Sequence, residues 1–218
     1  MFETDRPVDD CRKELIDSLK STLDALQKTV NWALLAILAT AAAAMYTSSN
    51  TVKLVNIEIP REITGVITFG LLCCVNFGAL RHFQRLSFIL RILHPNVEQA
   101  HLRIRLHPWA INPFSESDSE GYMGYVTDNL GYGLLLLQWW AGLHTGFYLV
   151  RAFAPSRTLQ TVAACLAGLY LVLGLLSMYM ISRLAHSVCR NPVSARIKTV
   201  VTLAAIPIGA FWIGQMFY

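Results

Sequence analysis

The sequence predicts an all-α protein, a polytopic membrane bundle of five transmembrane helices preceded by an amphipathic helix. Three observations predict it. Only 15% of the 218 residues are charged, against roughly a quarter in soluble domains. Five stretches contain no Asp, Glu, Lys or Arg: 29–52, 63–80, 129–150, 158–182 and 199–218. Basic residues are unevenly divided among the segments that connect these stretches.

The five stretches are 24, 18, 22, 25 and 20 residues long. A helix needs about 20 apolar residues to cross a hydrocarbon layer about 30 Å thick. All five qualify, the second narrowly. Strands of a membrane barrel would be about 10 residues with alternating polarity, and no such alternation runs through these segments. The first 28 residues are charged, so no cleavable signal peptide is expected and the first apolar run stays as a helix.

Orientation follows from the basic residues. Arg6, Arg12, Lys13, Lys20 and Lys28 precede the first stretch. Arg81, Arg85, Arg91, Arg103 and Arg105 follow the second, and Arg183, Arg190, Arg196 and Lys198 follow the fourth. These are fourteen of the eighteen Lys and Arg residues. The first and third connections hold two each: Lys53 and Arg61, then Arg151 and Arg157. The expectation is a cytoplasmic N-terminus, an outer C-terminus and an odd number of crossings. Omitting the short second helix would destroy the alternation. Arg81, Arg85 and Arg91 are expected to anchor on lipid headgroups. The net charge of +4 suits basic loops on anionic lipid, so no nucleic-acid partner is inferred.

Residues 1–28 form the cytoplasmic amphipathic region. Leu15, Leu19, Leu23, Leu26 and Val30 recur at helical spacing. No Gly or Pro separates them from the first apolar stretch, so one helix from about Asp10 to about Tyr46 is expected. Its first half is either a partner-binding stalk or a helix resting on the membrane or on its own neighbours.

Residues 29–93 hold the first two transmembrane helices and an outer loop at 47–62. In that loop Val52, Leu54, Ile57 and Ile59 alternate with polar residues up to Pro60. Val52-Lys53-Leu54 and Ile57-Glu58-Ile59-Pro60, followed by an apolar helix, resemble a membrane segment of uncharacterised bacterial proteins. Some of those carry pentapeptide repeats, which are absent from this chain. The resemblance covers about 40 residues and implies a bacterial inner-membrane setting. The second helix is expected to continue beyond Leu80, with Phe83, Leu86, Leu90 and Leu93 on one stripe, until Pro95 stops it.

Residues 94–128 form a cytoplasmic region. Arg103, Arg105, Trp109 and Phe114 are its expected partner-facing residues. Glu116, Asp118 and Glu120 alternate with serines and read as a solvated connection. Residues 129–218 complete the bundle, with Pro207 expected to kink the last helix.

Several chemistries find no support. Histidines are not spaced as zinc ligands, and no nucleophile elbow, Walker sequence or dinucleotide fingerprint occurs. Neither catalytic residues, a metal nor a cofactor is therefore expected. None of the five cysteines falls in an outer loop, so no disulfide framework is expected. The transmembrane stretches contain three notable polar residues: Asn76, Gln138 and His144. Asn76 and Gln138 fall at similar depth toward the inner side, and His144 roughly 10 Å further out. Such residues carry function by default in lipid.

Small residues four apart permit close helix approach in lipid. They occur at Gly70, Cys74 and Gly78, at Gly142 and Gly146, at Ala164 and Gly168, and at Ala205 and Gly209. These faces serve packing within one chain or a homo-oligomer.

The function expected is a non-enzymatic oligomeric inner-membrane subunit that anchors or relays a membrane signal to a cytoplasmic protein partner. A channel or membrane-permeabilising effector, including one of a bacterial antiviral system, is an alternative. So is an intramembrane enzyme using histidine.

Overall fold

A computed structural model describes residues 8–46, 51–54, 57–93, 97–108, 111–115, 122–189 and 192–217. Among these are six α-helices and one β-hairpin: α1 Val8–Tyr46, β1 Thr51–Leu54, β2 Ile57–Pro60, α2 Thr64–Ile92, α3 Val97–Arg105, α4 Tyr122–Phe153, α5 Arg157–Val188 and α6 Pro192–Phe217. The protein is all-α apart from the hairpin. Two stretches, Arg61–Ile92 and Arg157–Val188, are long and apolar enough to cross a membrane by length and composition.

Helix α1 is continuous for 39 residues. Its first half is packed on the protein, not projecting from it. Leu19, Leu23 and Leu26 are almost wholly buried, in the same core as Phe83, Leu86 and Leu90 of α2. Arg85 of α2 donates to the Ser18 hydroxyl at 3.1 Å. Of the two expectations for this segment, the structure has the helix resting on its neighbours. The leucine stripe is buried because the extension of α2 beyond Leu80 offers a matching apolar ridge.

The loop after α1 contains an antiparallel hairpin, with Thr51 opposite Pro60 and Leu54 opposite Ile57. A single 3₁₀ turn, Arg61–Ile63, leads into α2. The Arg61 guanidinium lies over the Phe153 ring at 3.9 Å, joining the start of α2 to the end of α4 by a cation–π contact. Helix α2 stops at Ile92, two residues before His94-Pro95, as a proline that disfavours helix at its predecessor requires.

The long helices alternate in direction. Gly65 meets Val150, and Gly146 meets the Phe69 ring, so α2 and α4 are antiparallel. Gln138 reaches Val30 and Gly142 meets Ile37, so α1 and α4 run together. Tyr170 bonds the carbonyl of Trp139 at 3.0 Å, and Gln160 bonds that of Ala154, which sets α5 against α4. Ser182 and Thr199 are 2.5 Å apart where α6 folds back along α5. The first half of α1, the end of α2, the start of α4, the end of α5 and the start of α6 therefore share one end of the bundle. Arg81, Arg85, Arg91, Arg103, Arg105, Arg183, Arg196 and Lys198 gather there. Arg61, Arg151 and Arg157 lie at the other.

Helix starts and stops have local causes. Ser156 caps α5, accepting from the Leu159 amide at 3.1 Å. Helix α6 passes through Pro207 as one helix. Threonines within the long helices bond back to their own helix, as Thr22, Thr29, Thr40, Thr68 and Thr202 do to the carbonyl four residues earlier. That arrangement hides hydroxyls from an apolar surround.

The region after α2 is more ordered than a loop. Helix α3 buries Ala100 and Ile104. Asn112 closes its end: its amide nitrogen donates to the carbonyls of Ile104, Arg105 and His107, at 2.9, 3.2 and 3.2 Å. Its side-chain oxygen accepts from the Phe114 amide at 2.9 Å. The carbonyls at and just beyond the end of α3 thereby share the two N–H hydrogens of one side chain. His107 contacts Asp24 of α1 at 3.1 Å, tying this region to the N-terminal helix.

His101 in α3 has its pKa lowered from 6.5, by burial first and Arg105 second, with Glu98 opposing. The unfolded chain therefore binds this proton more readily than the folded one. The stabilising contribution is complete above the ordinary histidine range and is lost as pH falls through the depressed folded value. Protection factors over residues 97–105, with the intrinsic pH dependence of amide exchange divided out, are expected to be lower at about pH 5 than at about pH 7. The difference should shrink in His101→Gln; an equal acid response in that variant would count against this assignment.

A buried polar cavity among four helices

Asn76 and Gln138, expected at similar depth, line one cavity between α1, α2, α4 and α5. Trp139, Tyr170, Gly174 and Ser177 line it too. Gln138 is 93% buried by its 7% residual exposure, and its amide nitrogen donates to the carbonyl of Val30 at 2.8 Å. Its oxygen has no protein partner. The same holds for the Trp139 indole nitrogen and the Ser177 hydroxyl, both shielded from solvent, while Asn76 is hydrogen-bonded to Tyr170. Such unpaired buried atoms are uncommon, each costing about 1–3 kcal/mol.

The aromatic side of the cavity is fixed by close packing. Trp139 stacks on Tyr170 with ring centroids 6.1 Å apart and meets Trp140 edge-on at 5.3 Å. Gly174 gives the indole its space, since a Cβ there would overlap the indole nitrogen. Tyr170, Gly174 and Ser177 recur at helical spacing on α5, the one sequence signal that could have placed them beside Asn76. His144 is exposed and does not line this cavity.

The small-residue faces divide. Gly142 receives the Tyr170 hydroxyl, 2.5 Å from where a Cβ would sit, and Gly146 receives the Phe69 ring at 2.6 Å. This GxxxG face packs within the chain. Ala164 is also buried. Nothing stands within 4 Å of a Cβ at Gly70 or Gly168, Gly78 has only an ordinary contact with Thr29 at 3.8 Å, and Cys74 is exposed. The side-chain surroundings of Ala205 and Gly209 lie outside the described residues.

The residues expected to face a partner also divide. Arg103 is exposed and Arg105 half-buried. Phe114 turns inward and is fully buried, because Asn112 pins the backbone beside it. Trp109 lies outside the described residues. Arg81, Arg85 and Arg91 are exposed at the basic end, with Arg85 held by Ser18.

Lys198 departs from its expected place in a solvated connection: it is fully buried. Its ammonium donates to the Cys189 sulfur at 3.7 Å, and Tyr132 bonds its backbone carbonyl at 3.1 Å. A thiol compensates poorly for a desolvated cation. Lys198→Met is expected to hold or raise stability, by up to about 3 kcal/mol. Thermal unfolding in mild detergent reads this, and a marked loss would reveal that the cation is needed for packing.

Among the described residues no group of three His, Cys, Asp or Glu is placed to hold a metal ion. No protein-family model matches the sequence, and neither a curated protein nor a solved structure matches it.

Proposed function

We propose that the chain is a non-enzymatic bacterial inner-membrane subunit whose five long helices cross the bilayer. In this reading its N-terminus is cytoplasmic, its C-terminus lies outside, and its basic end meets a cytoplasmic protein partner. The observation that carries the reading is the surface of the charge-free stretches. Trp32 of α1, Phe77 of α2, Leu137 of α4, Tyr179 of α5, and Val200 and Phe211 of α6 are all more than half exposed. Large apolar side chains stand exposed on every long helix, where a soluble monomer usually confines exposed apolar surface to one patch of a few hundred Å². Lipid accounts for it on all five helices at once. The clustering of basic side chains at one end supports the orientation.

The partner-facing layer is the first half of α1, α3 and residues 107–108 and 111–115. Helix α3 and the turn after it expose Leu102 and Leu106, 45% and 68% accessible, beside Arg103. Apolar and basic groups on one face suit an acidic, amphipathic partner segment. Gly70, Cys74 and Gly168 leave small-residue surface open on α2 and α5, which favours a homo-oligomer.

Compartment reporters fused to each end test the topology. The expected result is an N-terminal signal only from the cytoplasm and a C-terminal signal only from outside. Matching signals from both ends would overturn it. Leu102→Asp with Leu106→Asp should then abolish partner capture while leaving the thermal unfolding midpoint of the bundle in place.

A further inference from the structure

The seam between α5 and α6 at the basic end opens into a groove of two chemistries. Ser182 and His186 of α5 both meet the Thr199 hydroxyl of α6, at 2.5 and 3.3 Å. On one side of that contact both helices are buried, through Ile181 and Ala185 of α5 and Ala195 and Lys198 of α6. On the other side Arg183 and His186 of α5 and Arg196 of α6 stand exposed. Arg183 is three residues from His186, and Arg196 three from Thr199, so each is a surface neighbour of the contact. The three basic groups therefore border one stretch of groove.

The groove changes character along the helix axes. Tyr179 lies one turn, about 6 Å, outward of Arg183, and Val200 and Leu203 follow Thr199 in the same direction. All three are more than half exposed. The groove is thus cationic at the end of the bundle and apolar toward its middle. Neither α5 nor α6 contains an Asp or Glu to neutralise the arginines, and the last acidic residue of the chain, Asp128, is buried.

A guanidinium binds phosphate oxygens through paired N–H groups. A soluble phosphate would satisfy the arginines and leave the apolar stretch bare. A zwitterionic lipid would bring its own ammonium against two cations. An anion that carries alkyl chains fits both halves. We infer that this groove binds one anionic phospholipid, with its phosphate between Arg183 and Arg196 beside His186 and an acyl chain along Tyr179, Val200 and Leu203. On the five-crossing reading, on which this site depends, the basic end lies at the cytoplasmic leaflet, where basic pockets between helices take anionic headgroups.

The full chain, stripped of lipid in a neutral detergent, is titrated with dioleoyl phosphatidylglycerol and separately with dioleoyl phosphatidylcholine. The thermal unfolding midpoint is followed. The two lipids share their chains and phosphate and differ in net charge. A saturable rise is expected with phosphatidylglycerol, at a half-saturating mole fraction at least about tenfold below that of phosphatidylcholine. Arg183→Gln with Arg196→Gln should weaken phosphatidylglycerol by at least about tenfold and remove the preference. Arg81→Gln with Arg91→Gln takes the same charge from exposed positions on α2 and should leave the preference in place. Should the first pair not fold, Arg183→Gln alone carries the comparison. Glycerol 3-phosphate, an anion without chains, should leave the midpoint where it is.

Equal responses to the two lipids, a rise with glycerol 3-phosphate that matches phosphatidylglycerol, or the same loss of preference in both arginine pairs would overturn the proposal. The titration reads the groove in detergent, whichever compartments the chain ends report. Matching end reporters with a persisting lipid preference would remove the topology and keep the groove; the opposite pattern would remove only the groove.

Discussion

Gly174→Ala is expected to lower stability by about 2–4 kcal/mol, through a single added methyl. The position leaves no room for a side chain, since a Cβ would overlap the indole nitrogen and ring carbons of Trp139. The indole is held on two sides. It is 4% exposed and is braced by Tyr170 on one side and Trp140 on another. Relief would require either helix α5 to move off α4 or the Trp139 rotamer to break its stack. Thermal unfolding in detergent measures the loss, and a changed Trp emission maximum reports the displaced ring. Removing the bulk on the other side should restore much of it: Gly174→Ala with Trp139→Phe is expected to be more stable than the sum of the two single changes predicts. Strict additivity in that cycle would refute the steric account.

Gly131→Ala should act locally and at least as strongly. A Cβ there would overlap the backbone carbonyl of Asn112. A side chain can rotate aside, but this neighbour is backbone, and it is immobilised by the bonds Asn112 makes to Ile104, Arg105, His107 and Phe114. The added methyl is expected to lift residues 111–115 off α4, expose Phe114 and loosen α3. The cost is roughly 3 kcal/mol, the scale of a forced backbone shift plus a lost aromatic burial. Hydrogen exchange over residues 97–115 should accelerate greatly, while amides in α5 keep their protection. Asn112→Ala should give the same regional signature by removing the latch instead of wedging the joint. Protection unchanged in both variants would show that this region is docked by other means.

The helices were legible because their causes are local. Charge-free runs, the leucine stripe in α1 and the stop before Pro95 each act within a few residues. The shared depth of Asn76 and Gln138 was also legible, since helix rise converts residue number into height once alternating directions are assumed. What could not be read was which face of each helix turns inward. Helices that are apolar all round carry no amphipathic stripe to orient them. Hence the helical spacing of Tyr170 and Ser177 put them on one face of α5 without showing which helix that face meets, and Phe114 gave no sign that it would turn away from solvent. Lys198 was misplaced for a related reason: a cation at a helix end is ordinarily solvated, and only the packing of α5 against α6 buries it. Helix α3 escaped notice because nine residues with mixed polarity are stabilised from outside, by Asn112.

Helix α1 has neither glycine nor proline between Val8 and Tyr46, so nothing in it serves as a hinge. Thr29, Val30, Ala33 and Ile37 form one wall of the cavity, while Asp24, about 9 Å below Val30 along the same axis, grips His107. The cavity wall and the Asp24–His107 contact therefore sit on one unbroken helix, with Leu26 buried between them.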